Sequence, residues 1–177
     1  MTWPQLHPVS PITVHPWVIG SIGLDLPTGG RMNVAASAVW TASNRAIYIP
    51  VWLSAPIVAV QLFAYNGSAV SGNIDVGLYA GDGTRLVSSG STAQSGTSAL
   101  QAFNITDTEL GPGLCYLAVA LDNTTGTVFR VAGNTELQRG LGLFMQETAF
   151  PLPATATFAA ISVNAIPVVG LSTRTVL

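Results

Sequence analysis

The residues that could perform chemistry in this chain are few and far apart. The two histidines, His7 and His15, each precede a proline near the start of the sequence, and the single cysteine is Cys115. A hydrolytic triad needs a nucleophile, a histidine and an orienting acid in contact, and neither histidine is near a pocket that the rest of the chain could form. A lone cysteine excludes an intramolecular disulfide and a cysteine-based zinc site. Cys115 stands between apolar neighbours, so we expect a buried, inert thiol.

The acidic residues do not suggest a catalytic pair. Glycoside hydrolysis needs two carboxyl groups placed across a cleft, and Asp is common in turns because its side chain bonds nearby backbone. We expect three acids in loops and three in or beside hairpin turns, namely Glu109, Glu136, Glu147 and Asp75, Asp82, Asp122. Residues 81–83 and 122–125 offer oxygen ligands without the spacing of a dedicated calcium loop. The sequence therefore predicts a non-enzymatic protein with no cofactor and no metal.

Charge is scarce along the chain. Only 8% of the 177 residues are Asp, Glu, Lys or Arg, and the six basic residues are all arginine. An ordinary soluble domain has about 25% charged residues, and a monomer in water normally needs a charged, mixed surface. A formal net charge of −2 provides no basic patch, which argues against a nucleic-acid partner. We therefore expect other subunits to cover much of the exterior.

Two uncharged runs, residues 46–65 and 148–171, are long enough to span a membrane. Both contain prolines and many β-branched residues, and neither is flanked by a cationic cluster that would orient a helix. The first residues lack the cationic and apolar regions of a signal peptide. We predict strands broken by prolines, synthesis in the cytoplasm and no membrane partner.

The elements that must position any site are short strands. Residues 73–80 alternate, with Ile74, Val76 and Leu78 on one face, and Asp82-Gly83 then gives a hairpin signal before a return strand at 84–89. Further strands at 99–106 and 114–121, separated by turn signals, indicate an antiparallel β-sandwich or barrel.

The remaining body is predicted in the same way. Residues 45–53 and 57–65 are expected to pair with each other, and 133–142 to form a surface loop. Short strands are expected at 127–132, 143–145, 156–163 and 166–171. The runs 57–65 and 114–121 are apolar on both faces, whereas a strand of an antiparallel sandwich usually wets one face. We take this as a second sign of contact with other subunits.

Residues 1–30 are predicted to form an extended N-terminal arm, with 31–177 as the β-sandwich domain. Prolines at positions 4, 8, 11, 16 and 27 exclude regular helix and remove backbone donors. The arm also carries regularly placed apolar side chains, and the candidate interface residues are Trp3, Leu6, Ile12, Val14, Trp17 and Ile19. Two interpretations stay open: the arm packs on a neighbouring subunit, or it lies against its own domain.

Sugar binding is the rival class of function. β-Sandwich modules commonly present aromatic side chains that stack on sugar rings, and the candidates here are Trp40, Trp52, Tyr48, Tyr65, Tyr79 and Tyr116. Core or interface positions are the competing interpretation for all six. Trp52, in a strand between Val51 and Leu53, is expected in the core.

Four stretches carry a resemblance to a known class of proteins, namely residues 39–50, 72–79, 83–92 and 110–118. With these hairpins the chain resembles the small β-sandwich structural proteins encoded by tailed bacteriophages, over roughly residues 39–131. The resemblance rests on hairpin sequences and includes no catalytic or binding signature.

The resemblance implies a jelly-roll-like, all-β accessory protein of the virion. Such proteins include capsid decoration or cement proteins, head fibres, and tail fibre or tail-tip components, and they are often trimers. It implies a homotrimer that binds the major capsid protein or other virion subunits, with the arm docked on a partner. The alternatives are a tail fibre or tail-tip component and a carbohydrate-binding receptor module for a host glycan.

Overall fold

The computed structural model describes residues 18–19, 37–131 and 135–175. Their regular structure is almost entirely antiparallel β-sheet, and the all-β prediction is confirmed. The strands are β1 (Val18–Ile19), β2 (Ser37–Val39), β3 (Arg45–Leu53), β4 (Ile57–Tyr65), β5 (Asn73–Ala80), β6 (Arg85–Ser88), β7 (Thr92–Ala93), β8 (Leu100–Leu110), β9 (Gly113–Leu121), β10 (Thr127–Val131), β11 (Phe144–Gln146), β12 (Ala159–Ala160), β13 (Ile166–Pro167) and β14 (Val169–Thr175), with one helix, α1 (Thr135–Gly140).

The described strands form three sheets. The large sheet has the order β12-β11-β3-β9-β5-β6, with β7 added beside β5. The four-stranded sheet has the order β1-β14-β4-β8, and a smaller one has the order β13-β10-β2. Contacts between the first two sheets run from β14 to β9, from β4 to β5 and from β8 to β6. The two larger sheets are therefore opposed layers.

The main core lies between these layers. Alternation puts every second residue of a strand on the same face, and the predicted set Ile74, Val76 and Leu78 of β5 does point inward, fully buried. Leu62 of β4 and Leu117 of β9 meet it in the same cluster. Burying a side chain of this size stabilises the fold by about 1.5–3 kcal/mol, so this layer accounts for much of the stability.

The predicted pairing of residues 45–53 with 57–65 is wrong. Both segments are strands with the predicted bounds, but β3 pairs with β9 and β11, whereas β4 pairs with β8 and β14. The short connection at 54–56 therefore crosses from one layer to the other. Both strands are apolar on both faces, and such a pattern does not define which neighbour a strand takes.

The chain beyond β10 departs from prediction. The expected loop at 133–142 contains α1, which has Glu136 in its first turn and Arg139 in its last, the arrangement that suits the helix dipole. Gln138 is fully buried and donates to Asn164 Oδ1 at 2.9 Å. The predicted strand at 156–163 is reduced to β12, and β14 continues to Thr175, past the predicted end at residue 171.

Across 18–19, 37–131 and 135–175, the helical structure includes no apolar segment of membrane-spanning length. The uncharged run at 46–65 forms β3 and β4.

Candidate functional site

A segment after β11 covers the outer face of the large sheet, the face turned away from the main core. We call residues 147–158 the cover segment. The sheet contributes alternating small and aromatic side chains, and the cover segment packs Ala149 and Leu152 against them, both about 1% exposed. The sheet residues in this second cluster are Ala46, Tyr48, Tyr79, Tyr116, Ala118 and Ala120.

Aromatic contacts bind the cover segment closely to the sheet. Phe158 lies 5.2 Å from Tyr48 and 4.7 Å from Tyr116, measured between ring centroids, and it stacks on Phe144 at 5.0 Å. Such pairs contribute about 0.5–1.5 kcal/mol beyond their buried area. The second apolar face of β9 was interpreted as contact with another subunit. It is instead covered by the chain's own C-terminal half, so in β9 this pattern does not indicate contact with another subunit.

Asp75, in the sheet beneath the cover segment, holds this segment by a hydrogen bond. It was expected in or beside a turn, but it lies within β5 and is fully buried. The Leu152 backbone N–H donates to Asp75 Oδ2 at 3.0 Å, and the Ser89 hydroxyl donates to Oδ1 at 3.2 Å. Burial raises the pKa of the Asp75 carboxyl above its ordinary value, and these hydrogen bonds and the charge of Arg85 oppose that rise only in part. Both carboxyl oxygens of Asp75 therefore accept hydrogen bonds that hold the cover segment and Ser89 in place.

The neighbours of Asp75 hold the same segment. Tyr79 donates its hydroxyl to the Pro153 carbonyl at 2.6 Å, and Arg85 donates to the Leu152 carbonyl. Burial raises the pKa of Tyr48 to about 12, and burial also raises the pKa of Tyr79. Both phenols therefore stay protonated near neutral pH and donate hydrogen bonds, Tyr79 to the Pro153 carbonyl and Tyr48 to Gln146 Oε1 of β11 at 2.9 Å.

A buried polar cluster joins the loops next to the C-terminal end of β4. Gln94 Nε2 donates to Asn66 Oδ1 at 3.0 Å and to the Thr127 carbonyl at 2.8 Å. Asn66 Nδ2 donates in turn to Gln101 Oε1 at 2.8 Å and to the Ser95 carbonyl at 2.6 Å. Buried amides are stable only when such partners are present. The side-chain amides of Asn66 and Gln94 are used in holding the loops together.

The two loops that offer oxygen ligands, residues 81–83 and 122–125, form turns held by Asp side chains. Asp82 Oδ1 accepts the Thr84 backbone N–H at 2.9 Å, the bond of an ordinary Asp turn. Asp122 accepts the Asn73 backbone N–H at 2.9 Å and the Asn73 side chain at 3.0 Å. Desolvation works to raise the pKa of Asp122, but hydrogen bonds from Asn123 and Asn73 outweigh it and lower the pKa. Among the residues described, no group of three His, Cys, Asp or Glu side chains is placed to hold a metal ion.

The exposed candidate site is a cross-strand pair, Trp52 and Leu114. Trp52 was expected in the core but is 73% exposed, and its partner on β9, Leu114, is 40% exposed. Three other large apolar residues of the described chain are more than a third exposed: Val39, Leu86 and Leu100. Val39 pairs with Thr127 and Leu100 with Tyr65, so neither adjoins another exposed member of the set. We call Trp52 and Leu114 the apolar pair.

The apolar pair continues the outer face beyond its cover. The next cross-strand pair on the same face of β3 and β9 is Pro50 with Tyr116, and Tyr116 is 6% exposed under Phe158. Leu114 is also close to the β5–β6 turn, since a Cβ at Gly81 would lie 3.6 Å from the Leu114 Cβ. Two paired strands hold the indole on a rigid base, with one face of the pair open to a ligand or partner.

The other aromatic candidates are not available for stacking. Trp40, Tyr48, Tyr79 and Tyr116 are buried, and the half-buried Tyr65 packs edge-on against Phe129 at 4.7 Å. Trp40 donates its indole N–H to the Arg45 carbonyl at 2.9 Å. The alternation of side chains along β3 could have shown that Trp52 is not in the main core. It shares its face with Tyr48 and Pro50, whereas Val51 and Leu53 are on the core face. This alternation alone does not show where the cover segment stops.

Of the predicted arm interface, only Ile19 is described. It lies in β1, where it pairs with Gly170 of β14. The other candidates fall outside the described residues: Trp3, Leu6, Ile12, Val14 and Trp17. Cys115 is buried as expected, and desolvation raises its pKa to about 11.

Comparison of this chain with protein-family models, with curated protein sequences and with solved structures finds no match.

Proposed function

We propose that the chain is a non-enzymatic structural subunit of a bacteriophage virion. In this proposal it is a jelly-roll-like capsid decoration or cement protein that assembles as a homo-oligomer, with a trimer favoured, and binds the major capsid protein or other virion subunits. The observation that carries the proposal is the apolar pair, with Trp52 73% exposed on a paired strand. Exposed Trp residues on rigid elements are frequent centres of protein–protein interfaces.

The binding free energy expected from this contact suits a particle that carries many copies of the chain. Burying Trp52 and Leu114 would contribute about 25 cal/mol per Å² of apolar surface removed from water, against several kcal/mol lost in associating two free molecules. One such contact gives weak binding. Many copies on one particle, or several contacts within one oligomer, raise the overall affinity through effective concentration.

The low charge of the chain supports the same proposal. With only 8% charged residues, the surface offers few groups that must stay hydrated when a partner covers it. A tail fibre or tail-tip component is the close variant, since the same surface would serve there.

Particle association tests the proposal. Particles are purified by density gradient from a lysate that contains the chain, and antibodies to the purified protein are applied to intact particles in electron micrographs. We expect regular labelling over the head, and labelling confined to the tail would favour the variant. Recovery of the chain only in the soluble fraction, with unlabelled particles, would contradict a virion role.

A carbohydrate-binding receptor module is the second candidate, and Trp52 again favours it. An exposed indole on a strand offers the flat apolar face on which sugar rings stack. A glycan array with wild-type protein and Trp52→Ser separates the candidates, with Leu100→Ser as the control because Leu100 is also exposed, at 41%. Selective binding to one polysaccharide, lost in Trp52→Ser and kept in the control, would favour the receptor module over decoration.

A further inference from the structure

The segment before β1 has the composition of a docking peptide. Residues 1–17 contain no Asp, Glu, Lys or Arg, and prolines stand at positions 4, 8, 11 and 16. Each proline removes a backbone donor, which makes the segment a poor extra strand. It also carries Trp3, Leu6 and Trp17 among its apolar side chains. Such a segment binds through side chains on an apolar surface.

The register of β1 shows where this segment enters the fold. Val18 pairs with Leu171 of β14, which pairs with Leu62 of β4, while Ile19 pairs with Gly170, opposite Phe63. Thus β1 runs parallel to β4, and the chain enters β1 from the side on which β4 begins.

The apolar pair lies at the end where β4 begins, the direction from which the chain approaches β1. β4 begins at Ile57, three residues after β3 ends at Leu53, and Trp52 immediately precedes Leu53. Ile57 pairs with Leu110, and Leu53 pairs with Gly113. The uncovered indole therefore lies at the end of the two layers where β4 begins. Val18, level with Leu62, lies five residues farther along β4, and the chain approaches it from the direction of that end.

The chemistry of the two parts matches. Proline-rich segments hold an extended conformation at low entropic cost and dock on exposed aromatic side chains, with prolines and apolar residues against the ring. Trp52 supplies the ring, Leu114 extends the apolar surface across to β9, and the partly buried Pro50 extends it along β3. An uncharged segment pays little desolvation cost on such a surface.

We propose that residues 1–17 of one copy dock on the apolar pair, Trp52 and Leu114, of a neighbouring copy. The inference rests on the proposed homo-oligomer and names its contact. A neighbouring copy is favoured because β1 belongs to the four-stranded sheet, whereas Trp52 faces outward from the opposite layer and is 73% exposed in the single chain. The chain's own arm would have to turn around the end of both layers, a path that about 56 Å of extended chain could follow, so the experiment must separate the two.

Mixing two defective variants distinguishes docking on a neighbouring copy from docking on the chain's own surface. One variant lacks residues 1–17 but keeps β1, and the other is full-length Trp52→Ser. Sedimentation velocity over a range of concentrations is expected to show oligomers for wild type and monomers for each variant alone. An equimolar mixture is expected to form one-to-one dimers, because one variant brings an intact arm and the other an intact apolar pair.

Point variants guard against misfolding of the truncated chain. Trp3→Ser in the arm is expected to weaken self-association at least tenfold, which corresponds to about 1.4 kcal/mol, and so is Trp52→Ser. Leu100, in β8, is 41% exposed and pairs with Tyr65 at the far end of β4, so Leu100→Ser is expected to leave association unchanged. Thermal unfolding of every variant by circular dichroism checks that the β fold is retained.

The contrary outcomes are distinct. If wild type is an oligomer that survives both arm deletion and Trp52→Ser, the docking is wrong and the proposed assembly stands. If the mixture stays monomeric while Trp52 in wild type is shielded from acrylamide and becomes accessible on arm deletion, the arm docks on its own chain and the proposal fails. If wild type is monomeric with Trp52 accessible, the docking also fails, and particle labelling decides the virion role separately.

Discussion

Asp75 sits within β5 with no access to solvent, and its two carboxyl oxygens accept from the Ser89 hydroxyl and the Leu152 backbone N–H. One side chain thereby joins the β5–β6 hairpin to the cover segment. An unpaired buried donor costs about 1–3 kcal/mol, so the acceptor matters more than the charge. Two substitutions separate these contributions.

We predict that Asp75→Asn changes the pH dependence of stability. Burial raises the folded-state pKa of Asp75 above the unfolded value of about 3.9. The stability contributed by the carboxyl group is therefore complete below that unfolded value and is lost as the pH rises through the folded-state pKa. Asparagine keeps an acceptor for Leu152 and cannot ionise. Urea unfolding at a series of pH values should show the variant gaining on wild type as the pH rises.

Asp75→Ala is the matched control for this experiment. It also cannot ionise, but it removes the acceptor and leaves the Leu152 N–H without this partner, so we expect Asp75→Ala to be about 1–3 kcal/mol less stable than Asp75→Asn at every pH. Equal behaviour of the two variants would contradict the separate roles assigned to charge and acceptor.

A pair of glycines tests the packing of the polar cluster. A Cβ at Gly126 would lie 2.4 Å from Gln94 Oε1 and 3.0 Å from the Ser71 carbonyl, whereas a Cβ at Gly111 would meet nothing within 4 Å. We expect Gly126→Ala to destabilise by about 1–3 kcal/mol, since the surroundings must shift, and Gly111→Ala to be close to neutral. Thermal unfolding measures both, and equal midpoints would show that the cluster yields without cost.

Single residues could be predicted only where burial follows from their immediate neighbours. Cys115, in a run of apolar residues, is buried as expected. Trp52 and Asp75 were assigned wrongly because their environments depend on the cover segment, which is distant in sequence. The indole lies past the end of this cover, while the carboxyl group lies beneath it.

At the level of elements, strand bounds were more predictable than strand partners. β3, β4 and β5 have the predicted ends, and the β5–β6 hairpin is correct because its turn is local, with Gly83 at φ 89°. The large-sheet position of β3 depends instead on nine residue pairs with β9. No feature near residue 53 signals that the chain changes layers there.

The cover segment was not recognisable in advance. It has no regular strand over most of its length, and it is held by side chains and single backbone bonds, such as Ala156 N–H to the Gly83 carbonyl at 2.8 Å. Prolines at 151 and 153 marked it only as a break. Its contribution to the fold comes from the apolar side chains it places on the sheet.

We predict that Leu152→Ala strongly destabilises the protein. Leu152 is 1% exposed against the aromatic face, and its Cδ1 fills the space over Gly77. Truncating a buried leucine costs about 2–5 kcal/mol, and the loosened segment should expose aromatic surface that binds the dye ANS. Leu100→Ala, at a site 41% exposed, is the control and should change the free energy of unfolding by less than about 0.5 kcal/mol. Similar losses for both would mean that the segment contributes little to the fold.

At the level of the whole molecule, the two ion pairs recorded between described residues contribute little. The described ion pairs are Arg45–Glu147 at 2.6 Å and Arg139–Glu136 at 3.0 Å, and each has an exposed acid, at 51% and 82%. Exposed pairs are worth about 0–1 kcal/mol. The scarcity of charge could be read from composition, whereas the cover segment over the large sheet could not. Because this segment covers the second apolar face of β9, that face is no sign of contact with other subunits, and the low charge is the sign that remains.

We predict that the melting temperature is nearly independent of moderate salt. Raising NaCl from about 0.02 to 0.3 M screens exposed ion pairs, and a loss below 1 kcal/mol corresponds to a shift of under about 4 °C for a chain of this size. Differential scanning calorimetry at low protein concentration measures it. A much larger shift would reveal an electrostatic contribution that these two pairs cannot supply.

The order of synthesis gives the cover segment a further consequence. The nascent chain completes β3, β5 and β9 before residue 147 has been made, so the tyrosine-bearing side of the large sheet emerges from the ribosome bare. Until the cover segment has been translated, this side exposes an apolar surface of the kind that chaperones bind. A premature stop codon shortly before residue 147 would make that temporary hazard permanent, and its product would be expected in inclusion bodies.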